Sequence, residues 1–396
     1  MILLDPIHIE NRCVTYQVWY AKNYTFSALY HSVNPLRLPA MPLKNTTLLI
    51  MPVILATTLS CSFRNIDITT HDVPELTKQS ELVSKGVLPT QTQAPTGAGS
   101  GVDIDSQGNI FFLHRSGYGF NNNTLIDKDV VTVYSPVSHE IIGNWGANQF
   151  KSPHGITIDD NDHVWITDIK LNKVYQFDPS GKLLKTFGQN YPFYMEACLK
   201  VRNLLKNLPC GQNEYTFARP TDVEVFSDGS FVVSDGYRNS RIVKFAQDGT
   251  FQWEVSKLGK ADSEFYLPHD LAKDADDNIY VADRRNARIQ IFSNQGEWKR
   301  TLNFPELGRP YGLDISKDNY LYVADGGDSY EFESGEQRSQ ILKLTLEGDI
   351  VDRYSDFGQS LGKLDLPHDI AVNDLGRIFV AEVKNNRLQF FDQRID

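Results

Sequence analysis

The sequence predicts an all-β protein that folds as a six-bladed β-propeller. Three observations predict this fold. A unit of about 40 to 50 residues recurs six times from Gly101 onward, which is the period of a propeller blade. Each unit holds four short strand patterns in which apolar and polar residues alternate. Asp/Gly turns and turns containing Asn or Arg separate the strands, and closure of such units into a ring leaves few sheet edges exposed.

The second strand of the unit is its most regular element. In chain order its copies read NIFFLHR (109–115), HVWITDI (163–169), SFVVSDG (230–236), NIYVADR (278–284), YLYVADG (320–326) and RIFVAEV (377–383). A third strand follows as NKVYQF, SRIVKF, ARIQIF, SQILKL and NRLQFF, whereas its counterpart in the first copy, near DVVTVYS, is less similar. The copies resemble the NHL class of propeller repeat.

The first strand of each blade is expected to line the central channel. The residues at its entrance are, in blade order, Val102, His154, Thr221, His269, Tyr311 and His368. The three histidines belong to blades 2, 4 and 6, so six-fold symmetry places them about 120° apart and pointing at the axis. Three imidazoles in this arrangement suit a catalytic Zn²⁺ with one open position, although copper, nickel or iron would also accept them. The alternative is three ordinary histidines hydrogen-bonded to the backbone.

A second set of positions follows the second strand. Arg115 comes at this point in blade 1, Arg284 in blade 4, and Tyr237 one position later in blade 3. Two guanidiniums and a phenol near a metal predict an anionic substrate group and a proton transfer, although arginines at surface turns are common. In five blades the second strand ends in an acidic residue, which we interpret as stabilising the turn; blade 1 has His114 at this position. The acidic residues are Asp168, Asp235, Asp283, Asp325 and Glu382.

Two long intervals interrupt the repeat, residues 188–217 and 325–339. We expect both to be loops on a face of the propeller, where functional residues concentrate. The first interval carries Cys198 and Cys210. In an exported protein this pair predicts a loop-closing disulfide, worth ~3 kcal/mol by loop-closure entropy, with two free thiols as the alternative.

The composition indicates a protein with a large hydrophobic core and argues against a nucleic-acid-binding protein. The 396 residues include 41% hydrophobic residues, enough for a large core. The formal net charge is −11, and no basic face is visible, so nucleic-acid binding is not expected.

The N-terminal region predicts export. Residues 41–61 show one lysine, an apolar run too short to span a membrane, and Leu59-Ser60-Cys61, which resembles a lipoprotein cleavage site. We therefore expect a non-native upstream extension (1–40), which precedes a true start at Met41, a signal peptide (41–61), a tether with a possible closing strand (62–96) and the propeller (97–396). The protein would be a periplasmic or cell-envelope lipoprotein anchored through Cys61, or otherwise secreted. A buried helix in an N-terminal cap is the alternative for residues 41–61.

Four segments carry a more specific resemblance. They are SPHGITIDDNDHVWITDIKLNKVYQF, PTDVEVFSDGSFVVSDGYRNSRIVKF, LPHDLAKDADDNIYVADRRNARIQIF and LPHDIAV. They resemble the catalytic core of the peptidyl-α-hydroxyglycine α-amidating lyases from about residue 101 to residue 391. The resemblance implies a zinc lyase that cleaves the N–C bond of a peptidyl-α-hydroxyglycine, giving a C-terminal amide and glyoxylate.

The same resemblance assigns the site. The zinc ligands would be His154, His269 and His368. Tyr237 would be the catalytic phenol that acts on the substrate hydroxyl. Arg115 would hold the substrate and stabilise negative charge, with Arg284 as a further candidate for the same anion.

The family also holds a structural Ca²⁺ in the channel. Asp369 would supply its carboxylate, with main-chain oxygens of Val102 and Ile156. A carboxylate that caps nearby amides is the alternative for Asp369, because Asp270 also follows a Pro-His pair.

The chain departs from the family pattern in three respects. Two cysteine pairs of the family are replaced here, one by Ala218 and Arg238 and the other by Tyr280 and Ile291. Leu366 stands where the family has a methionine near zinc. We expect no segment to hold the copper monooxygenase domain of bifunctional relatives, so either a separate enzyme would supply the hydroxylated substrate or the natural substrate is a different compound.

Two other functions compete with this interpretation. One is a related propeller lyase or hydrolase that keeps the metal and acts on another substrate. The other is a non-catalytic NHL platform for binding, which would have no need of three alternate-blade histidines together with Tyr237 and Arg115.

Overall fold

Six four-stranded antiparallel sheets form the propeller, which confirms the predicted fold. The structure is a computed structural model that describes residues 84–88, 97–190, 193–202, 210, 212–327 and 338–392. All of these residues fall within one compact unit, Asp72–Asp396. The predicted extension (1–40), the signal segment (41–61) and most of the tether lie outside them. Within these ranges, no helix has the length and apolarity to cross a bilayer.

Blades 1 to 5 are meanders whose four strands run in chain order from the channel outward, and the three C-terminal strands of blade 6 follow the same order. Blades 1 to 3 comprise β2 Gly99–Ile104, β3 Ile110–His114, β4 Val131–Tyr134 and β5 Ile141–Trp145; β6 Pro153–Ile158, β7 Val164–Asp168, β8 Lys173–Phe177 and β9 Leu183–Phe187; β10 Asp222–Val225, β11 Phe231–Asp235, β12 Arg241–Phe245 and β13 Phe251–Ser256. Blades 4 to 6 comprise β14 Pro268–Lys273, β15 Ile279–Asp283, β16 Arg288–Phe292 and β17 Trp298–Leu302; β18 Pro310–Ile315, β19 Tyr320–Asp325, β20 Gln340–Thr345 and β21 Ile350–Tyr354; β22 Pro367–Val372, β23 Ile378–Glu382 and β24 Arg387–Asp392.

The sixth blade takes its outermost strand from the other end of the described chain. Strand β1, Ser84–Leu88, pairs antiparallel with β24 from Ser84 opposite Asp392 to Leu88 opposite Leu388. This pairing joins the first and last blades, because the same sheet then holds residues from both ends of the repeat array.

The hydrophobic core lies between blades. Strands such as β11 are buried at every residue, because a neighbouring blade covers each face of the sheet, whereas the outer strand β13 alternates between half-buried and exposed. One core cluster joins Phe111 of blade 1 to Ile166 of blade 2, and another joins Ile289 of blade 4 to Leu321 of blade 5. Packing between blades thus sets the position of each inner strand.

The acidic residues that end the second strands stabilise turns, as predicted. Asp168 Oδ2 accepts hydrogen bonds from the backbone N–H groups of Lys151 (2.7 Å) and Ser152 (2.9 Å), directly before β6. Asp283 Oδ1 accepts from Tyr266 N (2.7 Å) in the corresponding turn of blade 4. These carboxylates hold the entrance loop of each inner strand, where the candidate site lies.

The first long interval contains a helix rather than only a loop. Helix α1, Phe193–Arg202, lies between blades 2 and 3, and a disulfide joins Cys198 in the helix to Cys210. Most of the second interval, residues 328–337, lies outside the described part of the chain.

Candidate functional site

Three inner strands bring His154, His269 and His368 together at the channel axis. Each histidine is the second residue of its strand, after the proline that opens β6, β14 and β22. Their ring centroids are 4.7 to 4.9 Å apart, and candidate ligand nitrogens of the three rings all lie within 4.8 Å of one another. The near-equilateral triangle is the arrangement predicted from the alternate-blade spacing.

Each of these rings is oriented by a backbone carbonyl of the next blade. The Nδ1 atoms lie 2.8, 2.7 and 2.9 Å from the carbonyl oxygens of Thr221, Tyr311 and Ser100, for His154, His269 and His368 respectively. A carbonyl can only accept, so Nδ1 carries the hydrogen and Nε2 of the neutral ring keeps a lone pair. Such an outer hydrogen bond is typical of metal-ligating histidines, and the three nitrogen donors suit Zn²⁺.

Burial keeps the three imidazoles neutral. It lowers the pKa of His154 and His269 well below the ordinary value, with a further contribution from His368. It lowers the pKa of His368 to about 3, and the positive charges of Arg115 and Arg284 act in the same direction. Neutral rings are the form in which histidine donates to a metal, so no proton has to be displaced at neutral pH.

The Tyr237 phenol lies beside the ring of histidines. Its hydroxyl is 3.0 Å from His154 Nε2 and 3.5 Å from His269 Nε2. The side chain is half-buried in the turn after β11, and its ring meets Phe120 edge-on at 5.3 Å. A proton acceptor or donor therefore lies next to the atoms that would hold a metal.

Arg115 presents a buried positive charge near the same atoms. The residue is 2% exposed, and its Nε and Nη2 have no hydrogen-bond partner within the described residues. Burial lowers the pKa of Arg115, while Tyr237 and Asp168 oppose this shift. A buried guanidinium with unused donors indicates a site for an anionic group, because leaving such donors unpaired is costly.

Arg284 approaches from blade 4. Its guanidinium lies over the ring of Tyr311, with Cζ 4.2 Å from the ring centroid, and the residue is 8% exposed. Tyr311 occupies the entrance position of blade 5 and also supplies the carbonyl that orients His269. Sequence reasoning gave Tyr311 no role, although its position among the entrance residues was a signal that could have identified it.

Helix α1 holds the turn that carries Tyr237. Glu196 Oε1 accepts from Arg219 Nη2 (2.7 Å) and from Arg238 Nε (3.4 Å). Arg202 Nη2 donates to the Arg238 carbonyl (2.7 Å) and to the Asn239 side chain. Both residues that follow Tyr237 are thus tied to the helix.

The helix itself is fixed in two ways. Met195 and Leu199 pack on Ala218, and the disulfide closes the segment at Cys210. The sequence reasoning missed Glu196 and Arg202, because only the cysteine pair marked this interval.

A ring of carboxylates lies directly behind the histidines. Asp222, Asp270 and Asp369 occupy the next position along the inner strands of blades 3, 4 and 6, and all three are buried. Burial raises the pKa of each carboxyl well above its ordinary value, and the charge of Asp222 raises those of Asp270 and Asp369 further. A divalent cation here would relieve the repulsion, so this donor set fits Ca²⁺.

The predicted calcium residues meet in this ring. Asp369 Oδ2 accepts from the backbone N–H of Val102 (2.8 Å), and Val102, Ile156 and Asp369 line one cavity. Gly155 and Gly312 make room for the carboxylates, since a Cβ would lie 2.5 Å from Asp222 Oδ1 at the first and 2.6 Å from Asp369 Cα at the second. Sequence reasoning did not identify Asp222.

A second acidic tier lines the same cavity, which has a volume of about 190 Å³ and also contains Asp222, Asp270 and Asp369 in its wall. Burial and neighbouring carboxylates raise the pKa of Asp103 to about 8 and that of Asp314 to about 7. Glu224, in the same tier, pairs with Lys273 at 2.9 Å. Sequence reasoning missed this tier.

The placement of Val102 at the level of the histidines is wrong. In blades 2 and 6, the proline that opens the inner strand pairs with the last residue of the second strand. In blade 1 this position belongs to Gly99, which opens β2 and pairs with His114. Ser100 therefore lies at this level, and its carbonyl orients His368. The sequence misled because blade 1 lacks the proline that marks the strand start elsewhere.

Comparison with known proteins finds a repeat family that matches single blades and relatives that align over about three quarters of the chain. The NHL repeat family matches residues 217–245, 265–292 and 364–391, in blades 3, 4 and 6. A peptidylglycine α-amidating monooxygenase of Rattus norvegicus is 30% identical over 312 residues, which cover 74% of this chain and 30% of that protein. The chain spans only about a third of the length of this and similar vertebrate relatives, 30 to 33%.

A shorter relative aligns over most of its length. A probable peptidyl-α-hydroxyglycine α-amidating lyase of Caenorhabditis elegans is 29% identical, over 73% of this chain and 81% of that protein. Among solved structures, a streptogramin B lyase aligns with a TM-score of 0.52 at 13% identity, over 78% of this chain and 98% of that one. At that identity the likeness shows the fold alone.

Proposed function

Because the chain is homologous to the peptidyl-α-hydroxyglycine α-amidating lyases, we propose that it cleaves the N–C bond of a peptidyl-α-hydroxyglycine in a zinc-dependent reaction. The predicted family resemblance is confirmed by relatives bearing that name, 26 to 29% identical over 73 to 75% of the chain. Their names support a carbon–nitrogen lyase, the enzyme class predicted from the sequence. The observation that carries the proposal is the phenol of Tyr237 lying 3.0 Å from His154 Nε2 within the ring of histidines.

The histidine ring would hold the metal. His154, His269 and His368 would each donate Nε2, while the hydrogen bonds at Nδ1 keep the rings oriented. A Zn²⁺ held there would supply a Lewis acid that makes the substrate hydroxyl more acidic.

Tyr237 would move the proton. As a phenolate it takes the proton from the substrate hydroxyl, the electrons of the O–H bond form the aldehyde C=O, and the C–N bond breaks with its electron pair going to nitrogen. Tyr237 then returns this proton to the nitrogen and is again a phenolate, so the products are a primary amide and glyoxylate and no other reactant is needed. The two short distances from Tyr237 to the histidines support this role.

Arg115 would bind the carboxylate of the hydroxyglycine. Its unpaired, buried donors are complementary to a planar carboxylate. Arg284 would contribute a second positive charge, held over the ring of Tyr311. Binding of the substrate carboxylate would offset the cost of leaving the Arg115 donors without a partner.

The carboxylate ring would hold a structural Ca²⁺. Asp369 with the main-chain oxygens of Val102 and Ile156 remains the proposed ligand set, and Asp222 and Asp270 lie close enough in the same cavity to add negative charge. This cation would stabilise the inner strands on which the histidines lie.

Two further parts of the proposal concern supply and location. A separate monooxygenase would provide the hydroxylated precursor. The protein would act outside the cytoplasm, either anchored to a membrane through a lipid on Cys61 or secreted; the disulfide between Cys198 and Cys210 is compatible with an oxidising compartment.

The test is glyoxylate release from α-hydroxyhippurate by the purified protein, with bound zinc quantified in the same preparation. We expect near-stoichiometric zinc and turnover. Zinc without turnover would favour a related lyase or hydrolase with another substrate, a possibility consistent with Leu366 at the family's methionine position. Absence of zinc and of turnover would overturn the proposal and favour a binding platform.

A further inference from the structure

A cleft between blades 3 and 4 has Tyr237 in its wall. Its volume is about 220 Å³. Among the ten described residues that line it are Tyr237, Leu258, Lys260, Tyr266, Leu267 and Arg285. Tyr237 thus belongs both to the wall of this cleft and to the surroundings of the histidine ring.

We propose that this cleft holds the side chain of the residue that precedes hydroxyglycine in the peptide substrate, and that it selects a bulky apolar residue and disfavours a basic one. The inference rests on the proposed function and specifies the substrate class for the same site.

The chemistry fixes which part of the substrate reaches the cleft. The carboxylate of hydroxyglycine would bind Arg115, whereas the departing nitrogen would lie near Tyr237. The preceding Cα is one peptide unit beyond that nitrogen, and consecutive Cα atoms are about 3.8 Å apart. A side chain that leaves the chain at this point would therefore enter the space whose wall begins at Tyr237.

The floor of the cleft is apolar. Leu267 is buried and Leu258 is half-buried, while the Tyr266 ring is 40% exposed. Arg285 fixes the position of that ring, since its Nη1 donates to the Tyr266 hydroxyl (3.0 Å) and its Cζ lies 5.0 Å from the ring centroid. An aromatic side chain could bury its surface against this rigid face.

The rim of the cleft is positive. Lys260 is exposed, and none of the ten described residues that line the cleft is acidic. The net charge of the whole chain is −11, so a positive rim is a local exception. Repulsion from the Lys260 ammonium disfavours a lysine or arginine at this substrate position.

The experiment measures kcat/KM for glyoxylate release from N-acetyl-X-α-hydroxyglycine, with X as Gly, Phe, Glu or Lys. We expect Phe to exceed Gly by about 10-fold or more, the scale of discrimination by an apolar pocket. Lys should be the poorest of the four. Tyr266→Ala should reduce the Phe/Gly ratio several-fold, whereas Tyr266→Phe, which keeps the ring, should retain most of it.

Charge reversal on the rim provides the second readout. Lys260→Glu should lower the Glu/Lys ratio by about 3-fold or more, as expected for an exposed charge. Lys182→Glu is the matched control, because Lys182 lies in an exposed turn of blade 2, and it should leave every ratio unchanged.

The outcomes separate the two proposals. No turnover of any compound, Gly included, overturns the proposed function and this inference with it. Turnover of the whole series with a Phe/Gly ratio near one, or with ratios unaffected by Tyr266→Ala and Lys260→Glu, overturns the assignment of the cleft alone.

Discussion

The ring of histidines and the turn that carries Tyr237 are adjacent but held in different ways. The histidines lie on inner strands, and the same bond recurs at each of them, from Nδ1 to a carbonyl of the next blade. Tyr237 lies in a turn that an inserted helix holds through Glu196 and Arg202. The proposed metal-binding half of the site is thus built by the repeat, whereas the proton-transfer half depends on a segment outside it.

Removal of one histidine should have the largest effect. His269→Ala leaves two of the three ring nitrogens, so we expect loss of bound zinc and a fall in kcat/KM of about 10³-fold or more, as for a group that acts as part of a unit. His163→Ala is the control, since His163 lies in the turn before β7 and bonds to Asp159. Zinc and activity retained in His269→Ala would contradict the metal centre.

Tyr237→Phe should separate the two halves. Loss of the hydroxyl should lower kcat by about 10²- to 10⁴-fold, the range for general acid–base catalysis, while zinc content stays that of the wild type. Tyr118→Phe removes a hydroxyl that donates to Asp127 in an exposed setting and should change neither quantity. If Tyr237→Phe also lost its zinc, the two halves would not be independent.

Glu196→Gln should impair proton transfer indirectly, because Glu196 holds the turn that carries Tyr237. We expect kcat to fall by about 3- to 10-fold with KM and zinc nearly unchanged, because a misplaced phenol impairs the reaction and not substrate binding. In a Tyr237→Phe background the same substitution should have no further effect on kcat. Glu297→Gln, in an exposed turn, is the control. If Glu196→Gln lowered kcat equally in the wild-type and Tyr237→Phe backgrounds, Glu196 would not act through Tyr237.

Asp314→Asn should spare activity and change the pH dependence of stability. Burial raises the pKa of Asp314 to about 7, above the ordinary 3.8, so its contribution to stability is present below about pH 3.8 and lost as the pH rises to about 7. With chelator present, the variant should gain on the order of 2–4 kcal/mol relative to wild type between pH 5 and pH 8, measured by urea unfolding. A difference that does not depend on pH would refute this account.

Because the sequence repeats, most of the fold and the positions of the three histidines could be predicted from it. Alternation of side chains specifies a strand and the recurring unit specifies a blade, so His154, His269 and His368 could be placed at equivalent positions before any contact was known. Tyr237, Arg115 and Arg284 came from their positions after the second strands and from the family resemblance, and the structure brings all three to the histidine ring.

The error at Val102 and the failure to identify Glu196 and Arg202 both arise where one part of the chain departs from the pattern that the blades share. Blade 1 opens with Gly99 instead of proline, so the sequence had no marker for its register against the other blades. Glu196 and Arg202 lie in an interval with no counterpart in other blades, so no comparison between copies could assign them a role.

The sequence by itself determined the blades and the spacing of the histidines, because strand alternation and repeat period are local properties of the chain. Only the tertiary structure decided which carbonyl orients each ring, which carboxylates crowd the channel and which cleft adjoins Tyr237. Those contacts join different blades, for example His368 to Ser100 across 268 positions, and they exist only once the propeller closes.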